Sequence, residues 1–156
     1  MIEKKEVTWF PSYGAEMRGG TAHCTVIISD EMIGSPVVRN PDILAVMNEA
    51  SYKRFSERIV AQGLLAYDSS MISIRPPRKD IRLLKVPASG IAALSSAPKS
   101  ANMVMLGALI SVMSIISLDS TLEGLRVITP TRRSDSVAVN STLLRKGYQL
   151  VEDTKG

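Results

Sequence analysis

Residues 41–68, PDILAVMNEASYKRFSERIVAQGLLAYD, change their hydrophobic period twice. Residues 42–47, DILAVM, are continuously apolar after Asp42, which predicts a strand that is covered on both faces. In residues 49–60 the apolar side chains recur at helical spacing with charged side chains between them, and residues 64–68 are apolar again up to the final Asp68. This order predicts a βαβ unit, in which the two strands lie parallel in one sheet.

Further elements are predicted on both sides of this unit. Strands are predicted at residues 6–10, 21–29 and 81–86, and helices at residues 89–96, 102–116, 120–125 and 131–146. Pro11 is expected to end the first strand, and residues 32–38 to return antiparallel to the second strand as an edge arm. We predict one α/β domain over residues 1–156, with three layers (α/β/α), a mostly parallel sheet and a β-hairpin arm.

Three helix ends carry cap signals. Ser89 is a candidate N-cap, and Ser120 followed by Glu123 has the spacing of a capping box. Gly147 follows Lys146 at the end of the last predicted helix and is expected to be its C-cap.

Composition excludes several classes of protein. The chain of 156 residues is 45% hydrophobic and 22% charged, which is typical of one globular domain. The net charge of +4 arises after residue 78, and no block of five like charges occurs. Aromatic residues make up 4%, too few for a stacking platform on single-stranded nucleic acid. We therefore expect no binding to nucleic acid.

The most apolar run is residues 101–118, ANMVMLGALISVMSIISL, which carries no charge. It is barely long enough to span a membrane, and it contains Asn102 and three serines without basic or aromatic flanks. A helix buried in the core explains it better. Since the N-terminal residues MIEKKE lack the apolar segment of a signal peptide, we expect a cytoplasmic protein that does not enter a membrane.

The single cysteine and the single histidine are adjacent, at Cys24 and His23. They are too few for a disulfide framework, a structural zinc site or an iron–sulfur cluster. Adjacent side chains of a strand face opposite sides, which disfavours a Cys–His catalytic pair and predicts that Cys24 faces the core. No nucleotide-binding or zinc-protease motif occurs, and we expect no catalytic residue and no metal site in this chain.

Residues 11–20, PSYGAEMRGG, concentrate polar side chains among glycines after the first strand. That end of a strand is where open α/β sheets bind ligands. The glycines allow a partner to approach the backbone closely, and Arg18 could hold a phosphate or carboxylate with two hydrogen bonds. An internal Glu16–Arg18 pair that braces the loop is an equally compatible interpretation.

This loop and its flanks, VTWFPSYGAEMRGGTAHC at residues 7–24, resemble the gamma subunit of the 2-oxoacid:ferredoxin oxidoreductases. The resemblance is strongest to the 2-oxoglutarate type within the pyruvate and ketoisovalerate oxidoreductase gamma family. It continues at residues 28–30, 33–36, 41–42 and 47–48 and returns with ANMVMLGA at residues 101–108. The resemblance therefore spans most of the chain.

The resemblance implies a subunit of an oxidoreductase that converts a 2-oxoacid and coenzyme A into acyl-CoA and carbon dioxide and reduces ferredoxin. It implies that thiamine diphosphate, Mg²⁺ and iron–sulfur clusters are held by partner alpha, beta and delta subunits. This chain alone would bind none of these cofactors, would be inactive and could form a homodimer. Coenzyme A and ferredoxin would be met through the complex.

The candidate residues for an interface or a ligand loop share the glycine-rich segment, except for one at the start of the long helix, where it is expected to act as a cap. They are Ser12, Tyr13, Gly14, Glu16, Arg18, Gly19, Gly20 and Asn102.

Two alternatives stay open. One is a freestanding domain that binds an anionic small molecule or a nucleotide through the Gly14–Gly20 loop. The other is the indolepyruvate or branched-chain branch of the same family, which differs in substrate. Family members carry a strand and a Gly-rich turn ahead of the segment at residues 7–9, so we also expect this chain to lack the first βα unit of the fold.

Overall fold

The computed structural model describes residues 2–12, 22–73, 78–131 and 134–154. Within these ranges the strands are β1 (Glu6–Ser12), β2 (His23–Ser29), β3 (Ile43–Val46), β4 (Leu64–Asp68) and β5 (Arg82–Val86). The α-helices are α1 (Glu49–Phe55), α2 (Ala88–Leu94), α3 (Ala101–Met113), α4 (Leu118–Ile128) and α5 (Ser134–Glu152). None of these helices is both long and apolar enough to cross a lipid bilayer.

The predicted βαβ unit is confirmed. Strands β3, β4 and β5 form a parallel sheet in that order, and α1 connects β3 to β4. Helix α1 begins after Asn48, whose side-chain oxygen accepts a hydrogen bond from the Ser51 N–H at 2.8 Å. It is shorter than predicted, because the chain tightens into a 3₁₀ turn at Ser56–Arg58.

Helices cover both faces of this sheet, as the three-layer prediction requires. Neighbouring residues of β4 point to opposite faces. Leu65 packs with Tyr52 and Ile59 of the α1 side, whereas Ala66 packs with residues of α2, α3 and α5. The core therefore has one cluster on each side of the sheet.

The hairpin arm exists, but its partner strand differs from the prediction. β2 pairs antiparallel with β1, in register from Glu6 opposite Ser29 to Ser12 opposite His23. The predicted return strand at residues 32–38 is wrong, since no strand is assigned between residues 30 and 41. The predicted end at Pro11 is also wrong: a two-stranded ribbon has only edge strands, and an edge strand tolerates the missing N–H of proline.

Helices α3 and α5 pack with their backbones in contact. A Cβ atom added to Gly147 would lie 1.9 Å from the Val104 carbonyl oxygen, and one added to Gly107 would lie 1.9 Å from the Leu144 carbonyl oxygen. Gly147 is buried inside α5, which continues to Glu152, so its predicted role as a C-cap is wrong. Tertiary packing, and not a helix end, explains this glycine.

The caps predicted at Ser120 and Ser89 are also wrong. Helix α4 begins after Ser117, whose hydroxyl oxygen accepts the Ser120 N–H at 3.1 Å. The Ser117 N–H in turn donates to the Glu3 carboxylate at 2.8 Å, and hydrogen bonds from Ser120 and Ser117 lower the pKa of Glu3. Helix α2 begins after Pro87, so Ser89 lies inside its first turn.

Candidate functional site

The carboxyl end of the parallel sheet is tied to α2 by a buried carboxylate. Asp68, the last residue of β4, has no exposed surface. Its oxygens accept hydrogen bonds from the Ser70 N–H at 3.0 Å, the Ser89 N–H at 3.1 Å and the Ser89 hydroxyl at 2.5 Å. The Ser70 hydroxyl oxygen accepts the Gly90 N–H at 3.1 Å. These contacts brace the turn after β4 against α2, which explains why a charged residue can be buried there.

The sequence pattern predicts Asp68 only as the end of a strand. Its position was nevertheless a usable signal, because a carboxylate that directly follows four apolar or aromatic residues at a strand end requires donors nearby. Ser89, which was predicted to cap α2, supplies two of those donors.

The glycine-rich loop joins the ends of β1 and β2. Ser12 lies opposite His23 at that end of the hairpin, so these two residues mark the base of the loop. Most of the predicted loop candidates lie outside the described residues, namely Tyr13, Gly14, Glu16, Arg18, Gly19 and Gly20. Their roles stay predictions.

A cluster of nitrogen-bearing side chains surrounds one aromatic ring beside the loop base. The His23 and Phe55 ring centroids are 4.8 Å apart. The guanidinium carbons of Arg54 and Arg58 each lie 5.4 Å from the Phe55 centroid. We call these four residues the Phe55 cluster, and its positive charge suits an anionic group or an acidic protein surface.

The sequence pattern alone does not predict this cluster. Arg54 and Arg58 are four positions apart, so one helical face should hold both. That spacing was an available signal, but nothing local places His23, which is far away in the chain, against Phe55. Only the tertiary position of the hairpin brings them together.

Asn102 does not cap α3. The cap residue is Ser100, which makes no side-chain capping hydrogen bond, and Asn102 is exposed in the first turn of the helix. The predicted cap is therefore wrong, whereas a contact of Asn102 with a partner stays a prediction.

One face of the hairpin is entirely apolar. Cross-strand pairs alternate between the two faces of the ribbon. One face, which we call the outer face, carries the pairs Val7–Ile28, Trp9–Val26 and Pro11–Cys24. Cys24 is exposed there, so the prediction that it faces the core is wrong, although His23 and Cys24 do point to opposite faces as expected.

The side chains of the Phe55 cluster are suited to binding a partner or a ligand. Within the described ranges, no group of three or more His, Cys, Asp or Glu side chains is placed to hold a metal ion. The carboxylate of Asp68 accepts hydrogen bonds from Ser89 of α2. His23 contacts the Phe55 ring, beside two arginines. This arrangement can hold an anion or a protein surface.

The chain is similar in sequence to two named oxidoreductase subunits. It is 38% identical over 110 residues to ketoisovalerate oxidoreductase subunit VorA of Methanothermobacter thermautotrophicus, covering 70% of this chain and 23% of that relative. It is 32% identical over 155 residues to 2-oxoglutarate synthase subunit KorC of Methanocaldococcus jannaschii, covering 98% of this chain and 81% of that relative. The chain thus spans about a quarter of the length of VorA and most of the length of KorC.

The fold has a solved counterpart. The gamma subunit of a keto/oxoacid ferredoxin oxidoreductase from Geobacter sulfurreducens superposes with a TM-score of 0.81 at 22% identity, covering 97% of this chain and 83% of that chain. The parallel sheet, its two helical layers and the hairpin arm therefore have the same fold as that solved chain.

The family model for pyruvate ferredoxin/flavodoxin oxidoreductase matches residues 1–150. The chain belongs to this family, and the resemblance predicted from its sequence is confirmed.

Proposed function

We propose that this chain serves as the gamma subunit of a 2-oxoacid:ferredoxin oxidoreductase that acts on 2-oxoglutarate. The observation that carries the proposal is the match to KorC, which extends over nearly the whole chain and most of that relative. VorA is the more identical relative but only a quarter of it is matched, so a branched-chain 2-oxoacid is the alternative substrate.

The proposed role is assembly. The enzyme would make acyl-CoA and carbon dioxide and pass electrons to ferredoxin, with thiamine diphosphate, Mg²⁺ and iron–sulfur clusters in alpha, beta and delta subunits. One cysteine in 156 residues cannot ligate an iron–sulfur cluster, which supports placing the clusters in partner chains. The whole complex is proposed to be cytoplasmic.

The glycine-rich loop is proposed to lie at a subunit interface. The Phe55 cluster adds positive charge beside the loop base, where Ser12 and His23 face each other. An acidic surface of a partner subunit would fit there. The same charge also favours the second candidate function, a freestanding domain that binds an anionic small molecule.

Co-expression separates the two functions. The chain, carrying an affinity tag, is expressed with candidate alpha, beta and delta subunits of a 2-oxoacid oxidoreductase from the same organism. The subunit role predicts stoichiometric co-purification. It also predicts that 2-oxoglutarate-dependent ferredoxin reduction falls sharply when the chain is left out. A chain that purifies alone and is stabilised against heat by coenzyme A or a nucleotide would contradict that role and favour the binding domain.

A further inference from the structure

The outer face of the hairpin is the largest uncovered apolar feature of the arm. Val7, Trp9 and Val26 retain 57%, 60% and 52% of their surface, and all six residues of the face are without charge. Strands β1 and β2 make extensive contacts only with each other among the described elements. A two-stranded hairpin is marginal in water unless another surface packs on it. We therefore expect another protein surface to pack on this face.

We propose that the outer face is a docking surface for another subunit of the complex, one that presents an apolar protein surface. This inference rests on the proposed function. In VorA the matched part is 23% of the polypeptide, so this part is joined to about three times its own length of additional protein. The occupant proposed for the outer face is the subunit that corresponds to this additional protein.

A second copy of this chain is a poorer occupant. The outer face consists of six side chains on two short strands, and a patch of that kind exposes on the order of 300–600 Å². A stable pair of proteins buries about 800 Å² on each partner. The face alone is too small for a homodimer, but it suits the apolar centre of a larger interface with a polar rim.

The contact is apolar and not ionic. Because His23 lies on the opposite face of the ribbon, where it packs on Phe55, the Phe55 cluster lies on the other side of the hairpin from Trp9. Docking through the outer face should therefore resist salt, whereas docking through Arg54 and Arg58 should weaken as salt screens their charge.

Cys24 makes the proposal measurable. It is the only cysteine of the chain and is exposed on the outer face. The chain is treated with a maleimide alone and in the complex purified with its alpha, beta and delta subunits, and labelling of the Cys24 peptide is followed by mass spectrometry. We expect labelling to be at least about tenfold slower in the complex, because the docked partner excludes the reagent.

Trp9 and Phe10 give a matched pair of variants. They are neighbours on β1 and expose 60% and 51% of their surface, but they point to opposite faces of the hairpin. Threonine keeps a high strand propensity in both cases. We expect Trp9→Thr to weaken affinity for the partner subunits by about 30-fold or more, as loss of a buried aromatic anchor does. Phe10→Thr should change affinity less than about threefold. In 0.5 M NaCl the difference in affinity between the wild-type chain and Trp9→Thr should remain the same.

The outcomes separate the proposal from the function on which it rests. A complex that forms with Cys24 as reactive as in the free chain would overturn the docking surface and leave the subunit role standing. Equal losses for Trp9→Thr and Phe10→Thr would also overturn it, because they would indicate damage to the hairpin instead of loss of one face. A dimer of the isolated chain with Cys24 protected would replace the partner subunit by a second copy. Failure of the wild-type chain to join any of the candidate alpha, beta and delta subunits would overturn the proposed function itself.

Discussion

Replacing Gly147 by alanine tests the backbone contact between α3 and α5. The new Cβ would lie 1.9 Å from the Val104 carbonyl oxygen, whereas real Cβ atoms essentially never come closer than 3.0 Å to such an atom. The obstacle is backbone and not the flexible end of a side chain, so no rotamer change relieves it. The two helices must separate by about 1 Å.

The size of the effect follows from what this separation disrupts. The interface buries Val104, Leu143 and Val151, each worth about 1.5–3 kcal/mol when fully buried. A gap of 0.5–1 Å forfeits about a quarter to a half of the dispersion well at such contacts. The higher helix propensity of alanine offsets roughly 1 kcal/mol of this loss. We expect a net loss of about 2 kcal/mol, which for a chain of this length lowers Tm by roughly 4–8 °C.

Thermal and urea unfolding of the purified chain measure this loss, and Gly124 provides the control. Gly124 lies inside α4, and a Cβ there would meet only Ile2 Cδ1 at 3.9 Å, an ordinary contact. Gly124→Ala should therefore raise stability by about 0.5–1 kcal/mol. The same chemical change is predicted to act with opposite signs in two helices. A Gly147→Ala chain as stable as wild type would refute the close backbone contact.

Gly107 allows a second check of the same reasoning. A Cβ at Gly107 would lie 1.9 Å from the Leu144 carbonyl oxygen, across the same helix pair. Once one alanine has separated the helices, the second finds part of its space already open. The loss of the double variant Gly107→Ala/Gly147→Ala should thus be smaller than the two single losses added together. Full additivity would indicate two independent sites.

The remaining predictions concern polar contacts. Asp68→Asn should cost about 2–3 kcal/mol in urea unfolding, since an amide cannot accept all the hydrogen bonds that the carboxylate receives; a loss below about 0.5 kcal/mol would contradict the bracing role. Ser117→Ala should cost about 1 kcal/mol by removing the cap of α4, and an unchanged Tm would contradict that cap. The hydrogen bonds from Arg78 lower the pKa of Asp80, so the pair stabilises the fold above the ordinary pKa of an aspartate and this contribution disappears as pH falls through the lowered value. The Tm of the wild-type chain should therefore fall more steeply below about pH 4 than that of Asp80→Asn, and parallel profiles would contradict the pair.

The elements that local patterns define were predictable from the sequence. Residues 64–68 form a strand with the predicted limits, and the predicted strand–helix–strand order of residues 42–68 is present. The long apolar run contains the buried helix α3. Periodicity is sufficient in these cases because each segment is long or uniformly apolar.

The errors occur where distant residues decide the outcome. Gly147 resembles a C-cap when only its neighbours are considered, but the approach of Val104 from another helix explains it. The N-cap of α4 is Ser117 and not the predicted Ser120, and the Ser117 N–H donates a hydrogen bond to the distant Glu3. Alternation along β2 predicts that His23 and Cys24 face opposite sides, but it does not decide which side is covered, and Cys24 is exposed on the outer face.

The candidate site divides in the same way. The glycine-rich loop was found from its composition, but the Phe55 cluster beside it depends on a contact between β2 and α1 that no local pattern contains. The outer face of the hairpin was not predicted either. Each strand alternates separately, and only the register of β1 with β2 brings their apolar side chains together on one face.

The central claim is that this chain completes a 2-oxoacid:ferredoxin oxidoreductase. The most direct measurement is the rate of ferredoxin reduction with 2-oxoglutarate and coenzyme A, using the candidate alpha, beta and delta subunits purified without this chain and then titrated with it. The account predicts a rate that starts near zero and saturates at one chain per complex. A full rate before any addition, unchanged by the titration, would contradict it.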